Sequence, residues 1–213
     1  MSKYKNNKNF WNYFYKKNIK FKNSNFSQFV KKYINIKNSS LLDIGCGNGR
    51  DTFFFSKLVK SVYGIDLSKT AIENNNNIKK KLKVHNTKFL NKNFIKNKIF
   101  TSKKFNYIYA RFFLHTINKE GEEKFFLKVK KLIKKNGLIF LEFRTIKDKT
   151  FQKGKKISED EAIYGHYRRF INCIILKEKL KKFNLKILYF KESDKFSVYK
   201  NQKPHLARMI LKS

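Results

Sequence analysis

The sequence predicts a single α/β domain: a mainly parallel sheet with helices on both faces. Three observations predict it. Short apolar, strand-like runs alternate with helix-period runs along most of the chain, the order that builds strand–helix–strand units. The strand-like runs are near-continuous in apolar residues, as strands buried between two helical layers are. The chain has 213 residues, 41% of them hydrophobic, which is enough for one core without disulfides or metals.

The elements follow in order. Residues 1–23 are rich in Lys, Asn and aromatics, among them Phe10, Trp11, Tyr13, Phe14 and Tyr15, and read as a mobile arm or a flap over a site. Ser24 is placed to cap a helix in which Phe26, Phe29, Val30, Tyr33 and Ile34 recur at helical spacing. Residues 1–38 form this N-terminal part, and residues 39–213 the main domain. Leu41, Leu42, Asp43 and Ile44 make a short buried strand that runs into Gly45, Gly47 and Gly49, then a helix carrying Phe53, Phe54, Leu58 and Val59. A second strand over 61–65 ends at Asp66, and Ser68 is a plausible cap for the next helix. Asn74 to Asn77 are poor helix formers and predict an early end to it. Strands are expected over 88–90 and 105–110. Phe125, Phe126, Val129, Leu132 and Ile133 define an amphipathic helix with Gly137 as its stop. A strongly apolar strand covers 138–143. Residues 145–165 are expected to be a polar, irregular connection of functional interest. A helix using Phe170, Ile171, Ile174, Ile175, Leu180 and Phe183, then strands over 185–190 and 206–211, complete the chain.

The charge is extreme: 51 Lys+Arg against 15 Asp+Glu, net +36. A nucleic-acid or membrane-surface partner is one implication. However, the lysines run from end to end without forming a stripe, and the accompanying wealth of Asn, Ile, Phe and Tyr matches a compositional bias. Nucleic acid is therefore not the favoured partner. The arginines are few: Arg50, Arg111, Arg144, Arg168, Arg169 and Arg208. Two cysteines, Cys46 and Cys173, suggest no disulfide framework. With no apolar leader and no apolar run of about 20 residues, a cytoplasmic protein without membrane insertion is expected.

The chemistry concentrates in the loop from Asp43 to Gly49. Its glycines allow a tight turn close to a ligand, it joins a strand to a helix, and Asp66 follows about twenty residues on, where a carboxylate can accept from both ribose hydroxyls. A dinucleotide fingerprint would have its third glycine where Arg50 stands, and a phosphate loop would need Gly-Lys-Ser/Thr. Asp43 beside the loop disfavours a pyrophosphate and suits a cationic ligand. "LLDIGCGNGRDTFFF" and "VYGIDLSKTAI" together resemble the first two motifs of the class I S-adenosylmethionine-dependent methyltransferases. The resemblance implies a Rossmann-like, seven-stranded, mainly parallel sheet with a reversed last strand, and S-adenosylmethionine as cofactor without a metal. It implies cofactor contacts from Asp43, Gly45, Cys46, Gly47, Asp66 and Leu67. Asn93 stands where the family often has an acidic residue that meets the adenine amino group, and its amide oxygen can accept instead. Arg111 is expected to pair with a carboxylate near the cofactor.

The acceptor is read from thinner signals. An Asn/Asp-Pro-Pro-aromatic turn, as in methyltransferases of base amino groups, is missing from "YARFFLHTI", and Cys173 falls on the apolar face of an expected helix. His115 and His166 are the candidate bases. Arg144, Arg168 and Arg169 are the candidate clamp for a phosphate, carboxylate or sugar acid. "FWNYFYKK", "LDIGCGNGRD", "ARFFLHTI", "EFRTIKD" and "HYRRF" resemble bacterial methyltransferases associated with surface polysaccharides, which implies O-methylation of a small phosphorylated or sugar-linked acceptor. The alternatives are an RNA methyltransferase and a non-catalytic module that keeps the cofactor fold.

Overall fold

The computed structural model describes residues 5–17, 22–35, 37–197 and 203–213. The elements, in order, are α1 (Lys5–Lys17), α2 (Asn25–Lys31), β1 (Ser40–Ile44), α3 (Arg50–Phe55), β2 (Ser61–Asp66), α4 (Lys69–Lys81), β3 (Thr87–Asn91), β4 (Phe105–Arg111), α5 (Lys119–Leu132), β5 (Ile133–Arg144), α6 (Lys149–Lys153), β6 (Lys155–Ser158), β7 (Glu161–Tyr164), β8 (His166–Arg169), α7 (Cys173–Lys182), β9 (Lys186–Ser193) and β10 (Leu206–Lys212). Seven strands form one sheet in the order β3-β2-β1-β4-β5-β10-β9. The first five are parallel, and β10 runs antiparallel to both β5 and β9. β6, β7 and β8 form a separate antiparallel sheet.

Alternation along each strand separates two cores. Leu41, Tyr107 and Tyr109 face one side, packed with Phe26, Val30, Phe55 and Ile210. Leu42, Ile44, Ile108 and Ala110 face the other, against Phe125, Phe126 and Val129 of α5. Burial on both faces explains why the central strands read as unbroken apolar runs. Strand order reverses between β1 and β4, and their carboxyl ends open the crevice where ligands of such sheets sit.

Four expectations are corrected. α4 runs through the asparagines to Lys81: Asn75 is fully buried and its Nδ2 donates to the Gly47 carbonyl, while Asn74 donates to the Tyr15 carbonyl. Tertiary hydrogen bonds outweigh weak propensity. Gly137 is not the stop of α5; the helix ends at Leu132, Gly137 lies inside β5, and Asn136 is the residue with a positive φ, of 61°. Residues 145–165 hold α6, β6 and β7, because side chains that look polar singly are paired by backbone ladders. In α7 the buried stripe is Cys173, Leu176 and Leu180, whereas Ile174 and Ile175 are 76% and 55% exposed. Apolar type alone misassigned the face, and Phe170 and Ile171 precede the helix. Among the described residues no helix is long and apolar enough to cross a membrane.

Candidate functional site

A cavity of about 1600 Å³ opens at the carboxyl ends of β1, β2 and β4, with α1 along one wall and the turn between β7 and β8 along another. Typical small-molecule sites occupy about 300–1,000 Å³, so this one has room for two ligands side by side.

One end is built around the glycine loop. Gly45, Gly47 and Gly49 all have positive φ, of 73°, 52° and 70°, a region that L side chains rarely adopt. A Cβ on Gly47 would also run into the Tyr15 hydroxyl of α1. The Gly45 and Cys46 N–H groups donate to the Ile65 carbonyl, at 2.8 and 3.0 Å. Asp66 fixes the loop from the end of β2: one carboxylate oxygen accepts from Gly47 N–H and the other from Ser68 N–H, both at 2.8 Å. Each oxygen keeps a second lone pair for a ligand. Burial raises the Asp66 carboxyl, against the lowering by these backbone hydrogen bonds.

Asp43 is 2% exposed and accepts from the Thr52 hydroxyl at 2.6 Å. Among the described residues no cation lies within ion-pair distance of it. Burial, with Asp51 and Asp66 nearby, pushes it up to about 8. A buried carboxylate without a counter-ion, beside a backbone cradle open to a ligand, fits a group bearing an ammonium and a sulfonium.

The other residues expected here are placed as follows. The Cys46 side chain turns away into a small cluster with Ile72 and Phe89, so what Cys46 offers a ligand is backbone. Leu67 lines the cavity. Asn93 lines it too, but its amide oxygen already accepts from the N–H groups of Ile95 and Lys96, at 2.9 and 3.0 Å. Those bonds cap the turn after β3 and use both lone pairs, so acceptance from an adenine amino group by that oxygen does not fit. Arg111 pairs with Glu142 at 2.9 Å, and Glu142 also pairs with Arg208 at 2.7 Å. Burial alone would lower the Arg111 guanidinium, yet Glu142 leaves it raised. Sequence reading missed Glu142, a charge hidden in an apolar strand, and Asp51, which accepts from Ser24 N–H, the Ser24 hydroxyl and the Tyr109 hydroxyl. Neither carries a motif; only the contacts reveal them.

The second end lies between β4, β5 and β8. His115, 4% exposed, sits in the turn after β4, and its Nδ1 accepts the backbone N–H of Arg144 at 3.3 Å. That bond assigns the proton to Nε2, so the free nitrogen is a donor. Burial, then Arg144 and Arg168, holds its pKa well below 6.5. His166 packs against Phe10 and Trp11 of α1, with ring centroids at 4.3 and 5.1 Å. Burial and the same two arginines push it down to about 3. Arg144 is held by Asp148 at 2.7 Å and Thr150 at 3.3 Å. Arg168 donates to the Tyr164 carbonyl, and among the described residues no carboxylate lies within ion-pair distance of it. Burial and Arg144 lower its guanidinium to about 10.

The expected three-arginine clamp is corrected. Arg168 and Arg169 are consecutive in β8 and therefore face opposite ways. Arg144 and Arg168 reach the cavity; Arg169 turns inward to a buried pair with Glu122, which also holds Lys179. Among the described residues, four of the six arginines line the cavity, against seven of 42 lysines. Guanidinium is concentrated there and ammonium is not.

A family profile described as "Methyltransferase domain" matches residues 35–193. Among solved structures, a Clostridium acetobutylicum S-adenosylmethionine-dependent methyltransferase superposes with a TM-score of 0.70 at 15% identity, covering 88% of this chain and 90% of that one. One from Methanosarcina mazei gives 0.73 at 17% identity, covering 86% and 96%. Coclaurine N-methyltransferase, bound to N-methylheliamine and SAH, gives 0.68 at 13% identity, covering 88% and 71%. No curated protein sequence matches.

Proposed function

The chain belongs to the class I S-adenosylmethionine-dependent methyltransferases, and on that premise we propose that it O-methylates a small anionic or sugar-linked acceptor in the cytoplasm. The observation that carries the acceptor class is Arg168. It is a guanidinium in the cavity whose described partner is a backbone carbonyl, with no carboxylate beside it. A cation so placed favours an anionic ligand and can meet a carboxylate or phosphate through two parallel N–H donors.

When bound, S-adenosylmethionine supplies an electrophilic methyl group on a sulfonium. The residues proposed to hold it are Asp43 at its ammonium, the Gly45–Gly47 backbone along its amino-acid end, and Asp66 at its ribose. Leu67 and the Asn93 turn would flank the adenosine, and Arg111 the amino-acid end. α1 acts as a flap. Its Asn12 side chain accepts from the Ser68 hydroxyl at 2.8 Å, Tyr15 covers Gly47, and Phe10 and Trp11 close on His166. One helix thus touches both ends of the cavity, excluding water and aligning the two ligands for an in-line transfer.

Replacing Arg168 tests the reading. Arg168→Ala should raise the acceptor KM by about tenfold to a hundredfold, the loss expected when a bidentate charged contact goes, with cofactor Kd unchanged in calorimetry. An unchanged acceptor KM would remove the anion anchor and with it the acceptor class.

A further inference from the structure

Among the described residues the acceptor end contains donors and cations but no group placed to take up a proton and hold it: the His166 imidazole, stacked on Phe10 and flanked by Arg168 and Arg144, is held neutral. The groups that face it come from every surrounding element. From the turn after β4, His115 offers Nε2–H, since Nδ1 is committed to Arg144 N–H; taking a second proton would set Nδ1–H against that N–H. From β8, His166 lies against two aromatic rings beside Arg168. From β5, Arg144 is a cation, and Asp148, which neutralises it, accepts in addition from Thr150 and from His205 N–H. Asp51, lower in the cavity, accepts three hydrogen bonds on its two oxygens. Glu120, at the rim, is paired with Lys124 at 2.5 Å. A hydroxyl acceptor would find no base among these groups, and an ammonium would face two guanidiniums. An acid that ionises by itself meets neither obstacle, and the arginines hold it ionised.

We propose that the methylated atom is a carboxylate oxygen, so that the product is a methyl ester; this rests on the anionic-acceptor reading above. One carboxylate oxygen lone pair forms the new O–CH₃ bond as the S–CH₃ bond breaks, and the bonding pair stays on sulfur. The anion and the sulfonium become a neutral ester and a neutral thioether, and no proton moves. Arg168 engages the carboxylate with His115 Nε2–H beside it, which leaves lone pairs on the far side free to attack. The body of the acid lies along Phe10, Trp11, Phe14 and Phe112, which line the same cavity. Those walls select an apolar or aromatic carboxylic acid over a small hydrophilic one.

The test uses the whole chain with S-adenosylmethionine tritiated in its methyl group and four probes of shared size: phenylacetate, para-hydroxyphenylacetate, phenethyl alcohol and phenethylamine. Label should enter the two acids and be released as volatile methanol by mild alkali. Neither the alcohol nor the amine should be labelled. Calorimetry on the protein loaded with S-adenosylhomocysteine should show phenylacetate binding at least tenfold tighter than phenethyl alcohol, and Arg168→Ala should abolish that difference. Alkali-stable label on the phenol of para-hydroxyphenylacetate, lost in Arg168→Ala, would overturn the ester while leaving the anionic-acceptor reading intact. Label on the alcohol or amine that survives Arg168→Ala would overturn both. Failure to label either acid, whether or not it binds, also overturns the ester.

Discussion

The two ends of the cavity hold opposite kinds of ionisable group and are built from opposite materials. The glycine-loop end is lined by carboxyls. Buried Asp43 and half-buried Asp66 have no cationic partner within ion-pair distance among the described residues, and both are set around a backbone loop in a span of about 25 residues. The acceptor end is cationic. Arg144 and Arg168 share it with two neutral histidines, and its walls come from α1, the turn after β4, β5 and β8. A half lined by carboxyls suits a sulfonium and a cationic half suits an anion, and the proton Asp43 gives up when a cationic ligand binds completes that polarity.

Within the cationic half, each arginine has a separate task, and the largest expected effect comes from the one that does not face the cavity. Arg169→Ala leaves Glu122 buried with only Lys179, a loss of about 3 kcal/mol. That should lower the melting temperature by about 10 °C in a chain of this size while the cofactor Kd stays unchanged. A stable variant with weakened acceptor binding would instead return Arg169 to the clamp. In the carboxyl-lined half, Gly47→Ala places a side chain at positive φ and against Tyr15. Cofactor affinity should fall by about tenfold to a hundredfold, read by calorimetry with S-adenosylhomocysteine, and because the strain is present without the ligand the melting temperature of the ligand-free protein should fall by a few degrees, about 1–2 kcal/mol. Equal affinity would show that the loop and flap are not in contact in solution.

A third test bears on the charge of Asp43. Its folded pKa is raised to about 8 from 3.8, so its contribution to stability is fully present below the unfolded value and is lost as pH rises through the folded one. The ligand-free protein should therefore lose stability between about pH 4 and about pH 8 from this group. A cationic ligand reverses the preference, so binding S-adenosylmethionine at neutral pH should release close to one proton. Calorimetry in buffers of different ionisation enthalpy measures it, and Asp43→Asn should abolish it. No buffer dependence in the wild type would mean that Asp43 is ionised without the ligand.

The halves also differ in how legible they are. The strand, the glycine loop, Asp66 and the Ser68 cap stand in "LLDIGCGNG" and "VYGIDLS" because each is a local requirement: a turn needs glycine, and a cap needs a hydroxyl two or three residues before the N–H it accepts from. The acceptor end has no such grammar. "HYRRF" shows two arginines but not that one faces the cavity and the other the interior. His115 reads as a base until the Arg144 backbone N–H, 29 residues away, is seen to occupy its Nδ1. Asn93 reads as an acceptor until its own turn is seen to use it. Glu142 and Asp51 are invisible because a buried charge is recognisable only beside its partners.

The sequence by itself determined the α/β alternation, the two buried faces of the central strands, the glycine loop and the acidic residue beyond it, since all rest on periodicity and on φ preferences that act over a few residues. Only the tertiary structure decided the continuity of α4 through its asparagines, the strands hidden in residues 145–165 and the packing of α1 against Gly47 and His166. It also decided that Arg144 and Arg168 line the cavity while Arg169 pairs with Glu122. Those features depend on which distant groups meet, and a hydrogen bond or ion pair between elements far apart in the chain leaves no spacing in the sequence by which to find it.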